Sequence, residues 1–285
     1  MTEAEPRVRR YPTEIFGFPF TNTKDTVTKA RKRQECPFLK AECKKPRKSQ
    51  PKVKIGVCSV GYKGGFLDDF KPVIICPYRF NVNSVRAALA ASYFDNPKAV
   101  KWASEVPLGM AGSVDYVGFE TGNDGHITNF VCVEFQAAGT VGTPWKAVLE
   151  FRKHGSFLHD GYDYGINWAN EFLKTMMQQA YKKGLIIESW NEKLIFVIQD
   201  VALAYLRSAC DAGGLREASD KDPIHFYTFR MEWNTKHGEW LLVPSERVST
   251  NAEGIRQMLS GTAAEQFPTL DEFKSHIARR LSKQR

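Results

Sequence analysis

Asp115, Glu134 and Gln136 are the residues whose types and spacing could do chemistry. Ser113-Val114-Asp115-Tyr116-Val117-Gly118-Phe119-Glu120 is rich in β formers, Asn123-Asp124-Gly125-His126 is a turn signal, and β character resumes from Ile127 to Gln136. With Asp124-Gly125 as the two turn residues, Asn123 pairs with His126 and paired positions sum to 249. Asp115 and Glu134 obey the same sum. An unbroken register therefore sets the two carboxylates opposite each other, with Cβ atoms roughly 5 Å apart. Like charges that close repel unless a cation lies between them, and a hard cation such as Mg²⁺ prefers carboxylate oxygen. Strand alternation puts Cys132, Glu134 and Gln136 on one face, and Val131, Val133 and Phe135 on the other. Gln136 does not titrate, so it can hydrogen-bond a water or a phosphate oxygen but cannot serve as a base. Cys132 reads as a buried bystander. The competing reading is two surface carboxylates on a half-exposed hairpin, and a bulge would break the register.

A second constellation lies upstream. Four of the six cysteines, Cys36, Cys43, Cys58 and Cys76, are separated by six, fourteen and seventeen residues. In a reducing compartment, four thiols so close in sequence point to one tetrahedral metal, because soft sulfur suits zinc or iron. Proline follows Cys36 and Cys76, and Gly56-Val57 precedes Cys58, which suits tight loops around an ion. The alternative is that Cys58 and Cys76 are small core residues.

The charge surrounding these cysteines is concentrated. The chain of 285 residues carries a formal charge of +8. Between Lys29 and Lys54 there are eleven Lys or Arg and two Glu, which is +9 and leaves about −1 for the rest. A short stretch holding the whole basic excess is the footprint of a polyanion partner, or else a solvated loop. No apolar run approaches the roughly 20 residues that span a bilayer, and the first residues lack the order of a signal peptide, so a cytoplasmic protein is expected.

These residues must be positioned by an α/β framework. Residues 1–28 read as an irregular entry segment and Lys44–Lys52 as an exposed loop. Ser84 is placed to cap a helix through Val85–Ala91. A helix is predicted from Trp168 to Lys183, with Trp168, Phe172, Met176 and Ala180 on one face and Gly184 as its stop. Leu194–Ile198 is a buried strand, Phe226–Trp233 and Trp240–Pro244 form a hairpin, and Leu270–Leu281 is a basic amphipathic helix.

Asp115 followed by Glu134-Phe135-Gln136 resembles the D…ExQ variant of the PD-(D/E)xK nuclease motif. Joined to Cys36-Pro37-Phe38, Cys43, Cys58-Ser59-Val60 and Cys76-Pro77 in that order, and to the entry sequence Tyr11-Pro12-Thr13-Glu14-Ile15-Phe16-Gly17, it is similar to the NotI family of type II restriction endonucleases. The resemblance covers roughly Tyr11 to Gln136. Val114 stands where the motif has proline, and Gln136 where most nucleases of this fold have lysine but this family has glutamine.

The resemblance implies a mixed central β-sheet flanked by helices, the PD-(D/E)xK restriction-endonuclease-like core, with a small N-terminal four-cysteine metal-binding module. It divides the chain into residues 1–80 for that module and 81–285 for the nuclease core with its recognition and dimerisation elements. Asp115 and Glu134 would bind catalytic Mg²⁺, Gln136 would act beside them, and Glu105 resembles an extra acidic residue before the first Asp. The four cysteines would hold one structural iron or zinc. The implied substrate is duplex DNA, cut at a palindromic G·C-rich site by a homodimer, with a cognate methyltransferase in a prokaryotic host. Guanine-reading Arg or Lys would come from Lys29–Lys54 or the His154–Tyr164 loop. The alternatives are a sequence-specific DNA-binding protein with an inactive nuclease fold, and a repair or mobile-element nuclease.

Overall fold

The run Leu194-Ile195-Phe196-Val197-Ile198 is apolar on both strand faces, so a stable fold must cover both. The computed structural model, which describes residues 3–47, 50–260 and 269–282, does so with layers on either side of a seven-stranded sheet.

In chain order, β1 (Pro12–Ile15) and β2 (Phe18–Pro19) lead to helix α1 (Asp25–Lys32). Two small ribbons follow, β3 (Glu35–Cys36) with β4 (Ala41–Glu42), and β5 (Pro46–Arg47) with β6 (Gln50–Lys54). Then come β7 (Val57–Tyr62), β8 (Lys71–Ile74), α2 (Asn83–Tyr93), β9 (Lys101–Pro107), β10 (Ser113–Thr121) and β11 (Ile127–Phe135). Beyond these lie β12 (Thr140–Gly142), α3 (Trp145–His154), β13 (Tyr164–Ile166), α4 (Thr175–Ser189), β14 (Lys193–Gln199) and α5 (Asp200–Ala209). The chain closes with β15 (Arg216–Glu217), β16 (Ile224–Asn234), β17 (Glu239–Thr250), α6 (Ala252–Ser260) and α7 (Leu270–Ser282).

The large sheet runs β15-β17-β16-β14-β11-β10-β9. The pairs β11–β14 and β14–β16 are parallel, and the hairpins on either side are antiparallel, so the sheet is mixed. Alternation along β14 divides the core. Leu194, Phe196 and Ile198 face α4, α5 and a four-stranded sheet of order β2-β1-β7-β8. Ile195 and Val197 face α2, whose Val85 and Leu89 are fully buried. Gln199 joins the two sheets: its side chain accepts from Ile74 N–H at 2.8 Å and donates to the Pro72 carbonyl at 2.7 Å.

The entry segment is ordered rather than irregular: β1 is buried along its length and pairs with β7. Its Glu14 meets Arg79 in a bridge of 2.9 Å, and Ser59 donates to the same carboxylate at 2.8 Å. Within the expected loop Lys44–Lys52, Pro46–Arg47 pairs with the strand from Gln50 as the β5–β6 ribbon, while Lys48 and Ser49 lie outside the described residues. Helix α2 begins at Asn83, so Ser84 lies inside its first turn and caps nothing.

The expected Trp168–Lys183 helix opens as a π-helical stretch over Trp168–Lys174 and continues as α4. The predicted apolar face is right, with Trp168, Phe172, Met176 and Ala180 all buried. Gly184 does not stop it. It lies mid-helix, where a Cβ would approach Ile224 Cδ1 to 2.5 Å, so glycine lets α4 sit close on the sheet. Forcing a methyl group into such a contact costs about 1–3 kcal/mol. The predicted Leu194–Ile198 strand, C-terminal hairpin and terminal helix are all present, and the hairpin is longer than expected, reaching Thr250.

Candidate active site

The β10–β11 hairpin holds the expected register, but by a different route. Gly122 N–H donates to the His126 carbonyl at 2.9 Å and Gly125 N–H to the Gly122 carbonyl at 3.0 Å, closing a three-residue loop with Gly125 at φ 83°. That loop pairs Thr121 with Ile127, a sum of 248. A bulge just beyond it absorbs one residue, so that Glu120↔Asn129 through Tyr116↔Val133 sum to 249. Asp115 and Glu134 are the next pair in that register. The ladder ends before them because the Phe135 N–H is taken by Asp115 Oδ2, at 2.8 Å. The Asp115 backbone lies near enough to the Glu134 carboxyl to favour its charged form.

Strand β9 adds a third carboxylate. Val114 pairs with Val106 and Tyr116 with Ser104, which leaves Glu105 facing Asp115 across the strands. Glu105 adopts φ 54°, a left-handed conformation unusual for a residue with a Cβ and a common mark of functional sites. It belongs to strand β9. Ser113 Oγ lies 3.5 Å from its Oε2.

Asp115, Glu134, Gln136 and Glu105 line one cleft of about 210 Å³, together with Tyr78 and Gln179 of α4. Burial raises the Asp115 carboxyl, opposed by the Phe135 N–H and by Lys183, with Glu105 adding to the rise. Burial also pushes Glu134 up to about 7 against the Lys183 hydrogen bond, and the charge of Asp115 adds to it. The Gln136 backbone is fixed by its N–H to the Val197 carbonyl at 3.0 Å, and its amide donates to the Ala137 carbonyl at 3.2 Å. Cys132 lies in the core below, and burial pushes its thiol up to about 12.

Lys183 is the residue that sequence reasoning missed. Its Nζ lies 2.6 Å from Glu134 Oε1 and 2.8 Å from the Ser113 carbonyl, and the residue is 5% exposed. The signal was present, since Lys183 falls three residues after Ala180 on the buried stripe. Reading Gly184 as a helix stop placed it at a frayed end instead.

Cys36, Cys43, Cys58 and Cys76 are all buried and free. Cys58 interacts electrostatically with Cys76 and Cys36, and Cys76 with Cys43 and Cys36, so the four share one neighbourhood. Backbone N–H groups point at the sulfurs: Phe38 and Leu39 at Cys36, Gly17 at Cys58, and Tyr78 at Cys76. Such donors favour thiolate, but burial dominates and raises all three thiols. Among the described residues, no group of three or more His, Cys, Asp or Glu is gathered closely enough to hold a metal ion. The turn Pro77–Phe80 leads directly from Cys76 to the cleft, which Pro77 and Tyr78 line.

The basic ribbon lies alongside. Lys44 Nζ is 5.9 Å from the centre of the Tyr78 ring, while Arg47 and Arg152 lie 4.9 and 5.1 Å from that of Trp145. In the His154–Tyr164 loop the aromatic rings turn inward. Phe157 stacks on Tyr11 at 4.7 Å, and Tyr162 and Tyr164 are buried, leaving His154 and His159 exposed. No helix among the described residues is long and apolar enough to cross a membrane.

No curated protein matches the chain. A family model described as "Restriction endonuclease NotI" matches residues 22–240, which takes in Cys36, Cys43, Cys58 and Cys76, the three strands of carboxylates, Lys183 and most of the large sheet. With that match over most of its length, the chain belongs to the NotI restriction endonuclease family and is a DNA endonuclease.

Proposed function

We propose that this endonuclease hydrolyses phosphodiester bonds of duplex DNA at a specific, palindromic site, as a Mg²⁺-dependent type II restriction enzyme built on the PD-(D/E)xK plan. The observation that carries this reading is the register that sets Asp115 beside Glu134 in one cleft, with Gln136 on the same wall. The residues present fit a hard cation. Oxygen donors from Asp115 and Glu134, with Glu105 at the rim, face a shared space, and closing the remaining gap between like charges is work a cation does. When bound, Mg²⁺ lowers the pKa of a water and neutralises charge developing on the phosphate.

The chain's own groups do the rest. Asp115 is held in place by the Phe135 N–H, and Glu134 by Lys183. The Gln136 and Gln179 amides are placed to hydrogen-bond a phosphate oxygen or the attacking water. The four cysteines would hold a single iron or zinc once drawn closer together than they stand here: the donor set is four soft sulfurs in one neighbourhood, three of them near backbone groups that favour thiolate. A closed site of that kind is structural, and here it would anchor the basic ribbon along the phosphates. A two-fold DNA site calls for a homodimer, and a host that carries the enzyme needs a methyltransferase to protect its own DNA.

A plasmid incubated with the protein tests the reading. Discrete fragments with Mg²⁺, and intact plasmid with EDTA, are expected. Intact plasmid in both would favour a DNA-binding protein with an inactive nuclease fold, and a smear would favour a repair or mobile-element nuclease.

A further inference from the structure

Lys183 is a buried cation whose ion-pair partner is Glu134, with both side chains under a tenth exposed. A lysine ammonium in such a place is costly unless its hydrogen bonds are made. Here one nitrogen joins three elements: it projects from α4, donates to Glu134 Oε1 on β11, and donates to the Ser113 carbonyl at the start of β10. Ser113 lies two residues before Asp115, so the clamp ties together the ends of the two strands that carry the carboxylates. Gly184, the next residue, permits the close approach of α4 to the sheet that brings the ammonium within reach. Lys183 does not line the cleft, whereas Glu134 does. The lysine therefore approaches its carboxylate from behind and leaves the cleft side of Glu134 clear.

We infer that Lys183 is a positioning residue for Glu134. It holds the carboxylate in a single orientation, one oxygen engaged from behind and the other left for a metal ion in the cleft. This rests on the reading of Glu134 as a metal-holding residue. It also assigns the positive charge of this centre to a helix behind the site, while the position on the strand itself is filled by the uncharged Gln136. A residue of this kind supports metal affinity and turnover by roughly 10–100-fold.

The test compares Lys183→Met and Lys183→Arg with the unaltered protein and with Glu134→Gln. Three quantities are measured: Mn²⁺ binding to the DNA-free protein by electron paramagnetic resonance, single-turnover cleavage, and DNA affinity in EDTA. For Lys183→Met the expectation is Mn²⁺ affinity and cleavage rate both reduced by about 10–100-fold, with DNA affinity within a factor of about two. Lys183→Arg, which keeps the charge and the donors, recovers most of both. If Lys183→Met does not fold by circular dichroism, Lys183→Gln is judged by the same criteria. Tighter Mn²⁺ binding with undiminished cleavage would mean that the lysine only competes with the metal for the carboxylate, and would overturn the inference. Equal loss in the Met and Arg variants, in step with lowered melting temperature, would make its role one of packing and would overturn it too. Full cleavage by Glu134→Gln would instead refute the underlying reading of the site.

Discussion

Asp115 accepts, through its side chain, the backbone N–H of Phe135 on the neighbouring strand, at 2.8 Å. At this point the hairpin gives up a ladder bond for a bond to a side chain. A hairpin that does this gives up regular pairing at its end but holds an acidic side chain to the backbone, which reduces what that side chain loses on being fixed for chemistry. The same backbone groups that fold the sheet thus orient the cleft.

The bridge between Glu14 and Arg79 fastens the four-stranded sheet to the turn after Cys76, and Arg79 also donates to the Trp240 carbonyl at 2.6 Å. Both side chains are almost completely buried. Glu14→Ala leaves the guanidinium buried without its counter-charge, and a loss of about 3–5 kcal/mol in unfolding free energy is expected. Urea denaturation checks this; a loss below about 1 kcal/mol, the range of surface pairs, would mean that the bridge is not desolvated.

Metal uptake at the cysteines is expected to depend on pH. Burial raises the Cys36, Cys58 and Cys76 thiols, so the metal-free protein keeps them protonated, and a metal that binds thiolate must displace those protons. Raising pH therefore favours uptake and lowering pH favours release. Elemental analysis of protein dialysed across a pH series should show about one iron or zinc per chain at neutral pH or above, falling as the pH drops. It should show none in Cys58→Ser. A full complement of metal in Cys58→Ser would remove that residue from the ligand set.

Lys44 and Lys52 are exposed on the basic ribbon. If that ribbon follows phosphates, Lys44→Ala and Lys52→Ala each weaken binding to unrelated duplexes alike, and each reduces the slope of log affinity against log salt by about 1. Fluorescence anisotropy at several salt concentrations reads the slope. An unchanged slope in both variants would place the DNA elsewhere.

The sheet and the pairing of Asp115 with Glu134 could be read from residue order because strand alternation and turn chemistry are local. Even so, the register came out at 249 through two offsets that cancel: a three-residue loop in place of a two-residue turn, and a bulge that restores the count. Glu105 was visible as a residue type, but its place opposite Asp115 depends on the pairing of β9, which no local signal specifies. Lys183 stayed hidden because glycine has two uses in a helix, as a stop and as a point of close packing. Only Ile224, forty residues later, shows which applies to Gly184. The buried β1 was missed because its apolar partners, Val57 and Val60, lie more than forty residues downstream.

The central claim is that Glu134 performs chemistry rather than holding the fold or the DNA. Cleavage and binding of one duplex by Glu134→Ala, measured on the same preparation, test it most directly. The account predicts DNA affinity close to that of the unaltered protein and cleavage lowered by about 10³-fold or more, since removing a metal-holding carboxylate forfeits several kcal/mol of transition-state stabilisation. Cleavage at the normal rate, or loss of DNA binding with the fold intact, would contradict it.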